Sequence, residues 1–202
     1  MSRPPATALT EGPALLDDAV RYFLDSAQTV GQALLSRPTP CAGWDLGRLL
    51  CHVSDSLDDL AEGLVSATLK PLSARVTDPS ALLGENLRAR CDRLLAVSAA
   101  ASAGRLITVS GHELTASLLT CTGAIEMAVH GWDIARACGA RRTIPADLGS
   151  ALLQIAPLLI TSGGRAGLFA EPVSAPGLTA PGDRLVAFLG RDPGWPAGTD
   201  AR

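Results

Sequence analysis

Apolar residues recur at intervals of three and four along most of the chain, the spacing of one face of an α-helix. The first such segment runs from about Thr10 to Leu35, with Thr10 placed to cap the helix and Pro13 near its first turn. Asp45 opens a second segment, which carries leucine and valine at helical spacing over several turns. We therefore predict two amphipathic helices, separated by the Pro- and Gly-containing stretch 38–43.

The helical pattern resumes in the second half of the chain. Leu106–Val109 predicts a short extended piece, and a turn follows at residues 110–112. The Gly- and Pro-rich stretch 162–182 predicts loop, and Asp183–Leu189 could form one or two helical turns. Three further helices are predicted, over Pro79 to about Ala103, over Thr115 to Cys138 with Gly139 as a left-handed cap, and from Pro145 to about Ile160.

The composition favours helices over sheets. It is 47% hydrophobic but only 3% aromatic, so the interior must be built from leucine, alanine and valine. The length of 202 residues fits one domain, and no internal repeat or interdomain linker is visible. We predict an all-α fold in a single domain over residues 1–202, a four-helix bundle with an additional helix (core about 10–160) and a Gly/Pro-rich C-terminal tail (161–202).

Charge and hydropathy narrow the classes of partner. The net charge is −3 and the basic residues are scattered, which disfavours nucleic-acid binding and leaves a small molecule as the expected partner. The chain start has no apolar leader, and the longest strongly apolar run, Ala151–Ile160, is too short to span a membrane. We expect a cytoplasmic protein whose five cysteines are reduced, and an exposed helix face could serve a homodimer.

The strongest candidate chemistry is a pair of residues on the fourth helix. Glu126 and His130 are four residues apart and so share one helix face, and His52 lies on the inward edge of the second helix. Together they would form a His₂Glu set, which is known from catalytic zinc sites with an open coordination position. The alternative is that Glu126 hydrogen-bonds His130 or a backbone amide inside the bundle, and spacing alone does not choose between the two.

Other polar residues could support such a site. Asp133 lies on the same stripe and could accept a hydrogen bond from a ligand imidazole, or it could pair with Arg136. Asp55 and Ser56, one turn beyond His52, and Thr122, one turn before Glu126, are candidates to line a cavity.

Three segments, in order along the chain, resemble one known family. They are Thr39-Pro40-Cys41-Ala42-Gly43-Trp44-Asp45 leading to His52, Glu126-Met127-Ala128-Val129-His130-Gly131-Trp132-Asp133-Ile134-Ala135, and Leu189-Gly190-Arg191-Asp192-Pro193-Gly194-Trp195. On these segments the chain resembles an actinobacterial metal-binding branch of the DinB-like superfamily, similar to the N-terminal domain of mycothiol-dependent maleylpyruvate isomerase.

The resemblance implies a DinB-like four-helix bundle in which His52, Glu126 and His130 hold a divalent metal, commonly zinc. It also implies that the metal binds a low-molecular-weight thiol, mycothiol, and presents it to a small electrophilic or conjugated metabolite. We therefore expect a metal-dependent thiol transferase or isomerase. Two alternatives stay open: a non-catalytic metal-binding or interaction module, and a secondary-metabolite biosynthetic enzyme of the same fold with a non-thiol substrate.

The chain departs from the isomerase at its C-terminal end. The isomerase has an additional domain that supplies a substrate-binding arginine, and after Ala170 this chain matches it with only a short tail. We therefore expect a substrate other than maleylpyruvate. Arg165 and Arg191 are the candidates to bind it.

Overall fold

The computed structural model describes residues 11–69, 78–109, 111–160, 169–174 and 177–196. Two 3₁₀ turns, Gln32–Leu34 and Pro79–Leu82, accompany the longer elements. A small sheet contains β1 (Thr68–Leu69), β2 (Leu106–Val109) and β3 (His112–Thr115). Within these ranges the α-helices are α1 (Gly12–Ala27), α2 (Leu46–Ser66), α3 (Glu85–Ala100), α4 (Ala116–Ala137), α5 (Ala146–Leu159) and α6 (Pro181–Phe188).

The helices form the predicted bundle. Helix α4 packs most extensively against α1 and also contacts α2, while α2 packs against α3, and α5 packs against α6. Their facing sides bury one core of mainly leucine, alanine, valine and isoleucine, with Phe23 and Trp132 as its largest aromatic members. The prediction of an all-α fold is therefore confirmed, with the small sheet added at one point. None of the described helices is long and apolar enough to cross a membrane.

Glycine sets the close approach of α4 to α1 beside His130. A Cβ atom at Gly131 would lie 3.0 Å from the Cα of Phe23 and 3.1 Å from ring atoms of Tyr22. These distances leave no room for a side chain, so the two backbones meet as closely as they do because residue 131 is glycine. The contact fixes the height and rotation of α4 at the turn that carries His130.

Local signals in the sequence correctly placed several helix ends. The side chain of Asp45 accepts a hydrogen bond from the backbone N–H of Arg48 (2.8 Å) and so caps α2. Thr115 caps α4 in the same way, through the N–H of Leu118 (3.3 Å). Gly139 follows α4 with φ +85°, the left-handed conformation predicted for it.

Two predicted helices are shorter than expected. The first ends at Ala27 rather than Leu35, because the Thr29 hydroxyl donates to the carbonyl of Ser26 and the chain becomes extended at Gly31 before the 3₁₀ turn. The predicted cap, Thr10, lies outside the described residues. The third does not run unbroken from Pro79, because Gly84 adopts φ +77° and separates the 3₁₀ turn from α3.

The predicted extended piece is strand β2, which forms a hairpin with β3; His112, which was predicted in the turn, is the first residue of β3. Strands β2 and β3 pair antiparallel, from Leu106 opposite Thr115 to Val109 opposite His112, and Gly111 in the turn has φ +83°. Strand β1 pairs with β2 in parallel, and no pattern in the sequence predicted this pairing.

Candidate metal centre and its cavity

Three potential metal ligands converge between α2 and α4. Glu126 and His130 lie one turn apart on α4, and His52 reaches them from α2. The Glu126 Oε2 atom is 3.2 Å from His130 Nε2 and 3.6 Å from His52 Nε2, and one donor atom from each residue lies within 4.8 Å of the other two. Ligands of a tetrahedral ion with bonds of about 2.0–2.1 Å are about 3.4 Å apart, so these three groups could hold such an ion.

The carboxylate of Glu126 is buried and incompletely paired. Its Oε2 atom is inaccessible to solvent and has no hydrogen-bond partner, although two imidazole nitrogens lie close to it. Burial would raise the pKa of Glu126, but His130 and His52 beside it outweigh that effect and hold the pKa well below its usual range. The group is therefore a buried anion whose oxygen is free to accept a further cation or donor.

A buried chain of polar groups continues from His130 away from the cavity. The Nδ1 atom of His130 lies 3.0 Å from Asp133 Oδ2, and Arg191 Nη2 donates to the same oxygen at 3.2 Å. The side chains of Asp133 and Arg191 are 0% and 8% exposed. Of the two predicted partners of Asp133, the imidazole is therefore present. Arg136 is not, since its guanidinium stacks over Trp132 and donates to the carbonyl of Pro193.

The carboxylates on either side of His130 favour a positive charge on its imidazole. Burial would lower the pKa of His130, but Asp133 and Glu126 on its two sides raise it to about 9. Burial would raise the pKa of Asp133, but Arg191 and His130 lower it overall. An imidazole between two carboxylates orients its Nδ1 toward Asp133 and its Nε2 toward Glu126, the arrangement in which a histidine ligand is held by a carboxylate behind it.

The three groups open onto a cavity of about 590 Å³. Its polar lining among the described residues consists of Cys41, His52, Thr122, Glu126, His130 and Arg191, and the rest of the lining is large and apolar. A volume of this size is typical of small-molecule sites. The apolar members are Trp44, Leu114, Leu118, Ile125, Leu158, Leu159, Ile160 and Phe169.

The cavity includes some of the predicted residues and leaves out others. Thr122, a candidate to line the cavity, and Arg191, a candidate to bind the substrate, are both among its lining residues. Asp55 and Ser56 are half-buried on α2 and are not among its lining residues. They share a helix face with His52 but lie about one turn further along α2. Arg165 lies outside the described residues.

Several lining residues were missed by the sequence analysis. Trp44 meets the ring of His52 edge to face, with the ring centroids 4.8 Å apart, and Cys41 Sγ lies 3.8 Å from Arg191 Nη2. Both belong to the segment that resembles the known family, so a role could have been assigned to them on that signal. Phe169 and the end of α5 gave no comparable signal, because only the packing of α5 against α4 brings them to the cavity.

Comparisons with known proteins identify the fold and the family of this chain. The crystal structure of a mycothiol-dependent maleylpyruvate isomerase superposes with a TM-score of 0.59 at 19% identity, covering 73% of this chain and 67% of that one, a similarity of fold. No curated protein matches the chain. The family model of the mycothiol maleylpyruvate isomerase N-terminal domain matches residues 16–135, which include His52, Glu126 and His130. Since this match spans more than half of the chain, the chain belongs to the family of mycothiol maleylpyruvate isomerase N-terminal domains.

Proposed function

We propose that the protein is a divalent-metal-dependent enzyme in which a low-molecular-weight thiol attacks a small electrophile, as a thiol transferase or isomerase. One observation carries this proposal. Two imidazole nitrogens from different helices lie within 3.6 Å of Glu126 Oε2, a buried carboxylate oxygen with no hydrogen-bond partner, at the wall of a large cavity. A buried carboxylate oxygen is costly unless a cation or a donor satisfies it, and a divalent ion held by the two imidazoles would do so.

The donor set fits zinc in a catalytic rather than a structural site. Two histidine nitrogens and one carboxylate oxygen are ligands that zinc accepts, and structural zinc sites are closed by a fourth protein ligand. Within the part of the chain that the structure describes, the ligand group has three members, His52, Glu126 and His130. A fourth position would therefore be open for a thiol.

The metal ion, Asp133 and the apolar walls would each have a separate role in the reaction. When bound, a divalent ion supplies a Lewis acid that lowers the pKa of a coordinated thiol and makes it nucleophilic at neutral pH. Asp133 holds the Nδ1 proton of His130 and keeps Nε2 directed at the cavity. The apolar walls would favour an apolar substrate beside the reacting groups.

The thiol part of the proposal rests on family membership. The description of the matching family names mycothiol, and the superposed crystal structure is described as mycothiol-dependent. We propose mycothiol for this chain on that ground. In an isomerase the sulfur would add to one carbon of a conjugated double bond, the new single bond would rotate, and the sulfur would leave again. In a transferase the second alkene carbon takes a proton and the adduct is the product.

The decisive experiment compares two of the three histidines. His52→Ala removes a proposed ligand, whereas His112→Ala changes an exposed histidine on β3 and serves as the matched control. We expect about one equivalent of zinc in the wild type and in His112→Ala, and less than about a tenth in His52→Ala. Mycothiol binding and mycothiol-dependent consumption of a conjugated electrophile should follow the zinc content.

Three outcomes would contradict the proposal at different points. Wild-type protein that takes up no zinc or other divalent ion refutes the metal site. Zinc binding without any thiol-dependent reaction refutes the thiol chemistry and leaves the site. Unfolding of the bundle on removal of the metal, followed by circular dichroism, would instead indicate a structural, non-catalytic module.

A further inference from the structure

We infer that the electrophile of this enzyme is a neutral, largely apolar compound and not a dicarboxylate. The inference rests on the proposed function and specifies the substrate class for the same cavity. It follows from two features of the described lining: the side chains that would contact the body of a substrate, and the cations that would receive an anionic group.

The cavity walls that would contact a substrate are mainly hydrocarbon side chains. Ile125 and Leu118 of α4, Leu158 and Leu159 of α5, and Phe169 all line the cavity. A substrate that fills this space is removed from water against apolar surface, which favours an apolar body and penalises any charged group without a partner.

The described lining contains one cation, and its charge is already balanced. Arg191 donates through Nη2 to Asp133 at 3.2 Å and through Nη1 to the carbonyl of Leu189 at 2.9 Å, and its Nε atom is inaccessible to solvent. Asp133 is fully buried and offsets the positive charge. Arg191 is therefore a positioning residue for Asp133 and not a free clamp for a substrate carboxylate.

The charges of the loaded centre also leave no excess for an anion. A bound divalent ion would contribute two positive charges, offset by Glu126 and a bound thiolate, while Asp133 and Arg191 cancel and His130, as a metal ligand, would be neutral. The sum is zero. A substrate with two carboxylates would bring two uncompensated charges into the cavity, whereas a neutral ester or ketone would bring none.

One apolar residue of the described lining is more than half exposed. Leu158 is 53% exposed although it lines the cavity, and Leu106 on β2 is 52% exposed outside it. The two leucines form a matched pair. An arginine at position 158 adds a free cation to the cavity, and an arginine at position 106 adds the same charge elsewhere, each without disturbing the core.

The test uses the full chain loaded with zinc, mycothiol, and two substrates with the same cis double bond. Dimethyl maleate is neutral and maleate is a dianion at pH 7.5. For each we compare kcat/KM, divided by the uncatalysed rate with mycothiol, for isomerisation or thiol addition. We expect the diester to be favoured at least about tenfold in the wild type. Leu158→Arg should narrow or reverse that preference, and Leu106→Arg should leave it unchanged.

A binding measurement separates this inference from the proposed function. The probe is Nile red, a neutral dye added to the zinc-loaded protein. The competitors are dimethyl succinate and succinate, which are saturated analogues of the two substrates and cannot react. Displacement by the diester at about tenfold lower concentration supports the inference even if neither alkene reacts, in which case the proposed function fails. Equal or better displacement by succinate overturns the inference. A higher kcat/KM for maleate than for dimethyl maleate also overturns the inference. Loss of that preference in Arg165→Ala would identify Arg165 as the cation that binds the carboxylates.

Discussion

Two cavities of this protein lie on either side of the same helix and differ in kind. The candidate site of about 590 Å³ is lined by His52, while a second cavity of about 380 Å³ is lined by Leu50, two residues earlier on α2. Both are walled mainly by aliphatic side chains. The second has only Gln28 and Arg88 as polar lining among the described residues, and both are exposed.

The difference shows where function is to be sought in a helical bundle. A hollow between helices follows from imperfect packing of leucine and alanine and has little specificity. Glu126, His130 and Asp133 are instead held in the interior, where each would be costly without the others. Buried groups that support one another, and not the hollow itself, distinguish the candidate site from its neighbour.

The sharpest test of the comparison makes one substitution in each cavity and measures zinc binding and stability for both variants. Glu126→Gln keeps the side-chain shape but loses the anionic ligand, and we expect zinc affinity to fall by at least about a hundredfold. Leu50→Ala should cost about 2–5 kcal/mol in the free energy of unfolding and leave one equivalent of zinc bound. Metal analysis and urea unfolding measure both. Zinc retained by Glu126→Gln at wild-type affinity would remove the basis of the comparison.

The buried pair behind the site should separate stability from metal binding. Asp133→Asn leaves Arg191 buried without a counter-ion, and we expect a loss of about 3–5 kcal/mol in the free energy of unfolding. Zinc affinity should also fall about 10–100-fold, because His130 loses the group that orients it. The double variant Asp133→Asn with Arg191→Met should regain most of the stability and none of the zinc affinity. Recovery of both would mean that Asp133 does not position the imidazole.

A larger side chain should lower activity when it is placed in the candidate site but not when it is placed in the second cavity. Thr122→Leu adds volume to the candidate site, and we expect zinc to remain bound while kcat/KM falls about tenfold through displacement of the substrate. Ala27→Leu adds volume to the second cavity and should leave kcat/KM unchanged, with a gain of about 0.5–1 kcal/mol in stability. A similar fall in kcat/KM for both variants would show that the two cavities are coupled.

The smallest expected effect concerns two half-buried thiols. Burial raises the pKa of the Cys41 thiol and also that of the Cys51 thiol. Both should therefore react slowly with iodoacetamide at pH 8. Cys41 lines the candidate site and Cys51 does not. We expect mycothiol with zinc to slow the labelling of Cys41 several-fold, measured by peptide mass spectrometry, and to leave Cys51 unaffected. Equal protection of both would place the ligand outside this cavity.

The sequence determined the parts of this protein that depend on neighbours within one helix. Helical spacing of apolar residues placed the elements, and Asp45, Thr115 and Gly139 marked their ends because capping is a local interaction. The same locality put Glu126 and His130 on one face, since four residues make about one turn. The single domain, the homodimer and the cytoplasmic location stay predictions.

Only the tertiary structure decided which residues from different elements meet. The approach of His52 to Glu126, and of Arg191 to Asp133 across 58 positions of sequence, depends on how the helices are rotated and shifted against one another. That arrangement is set by side-chain packing, as where Gly131 admits the backbone of Phe23, and no local pattern encodes it. The pair on α4 was therefore readable from the sequence, whereas the centre it helps to form, and the apolar cavity beside it, required the fold.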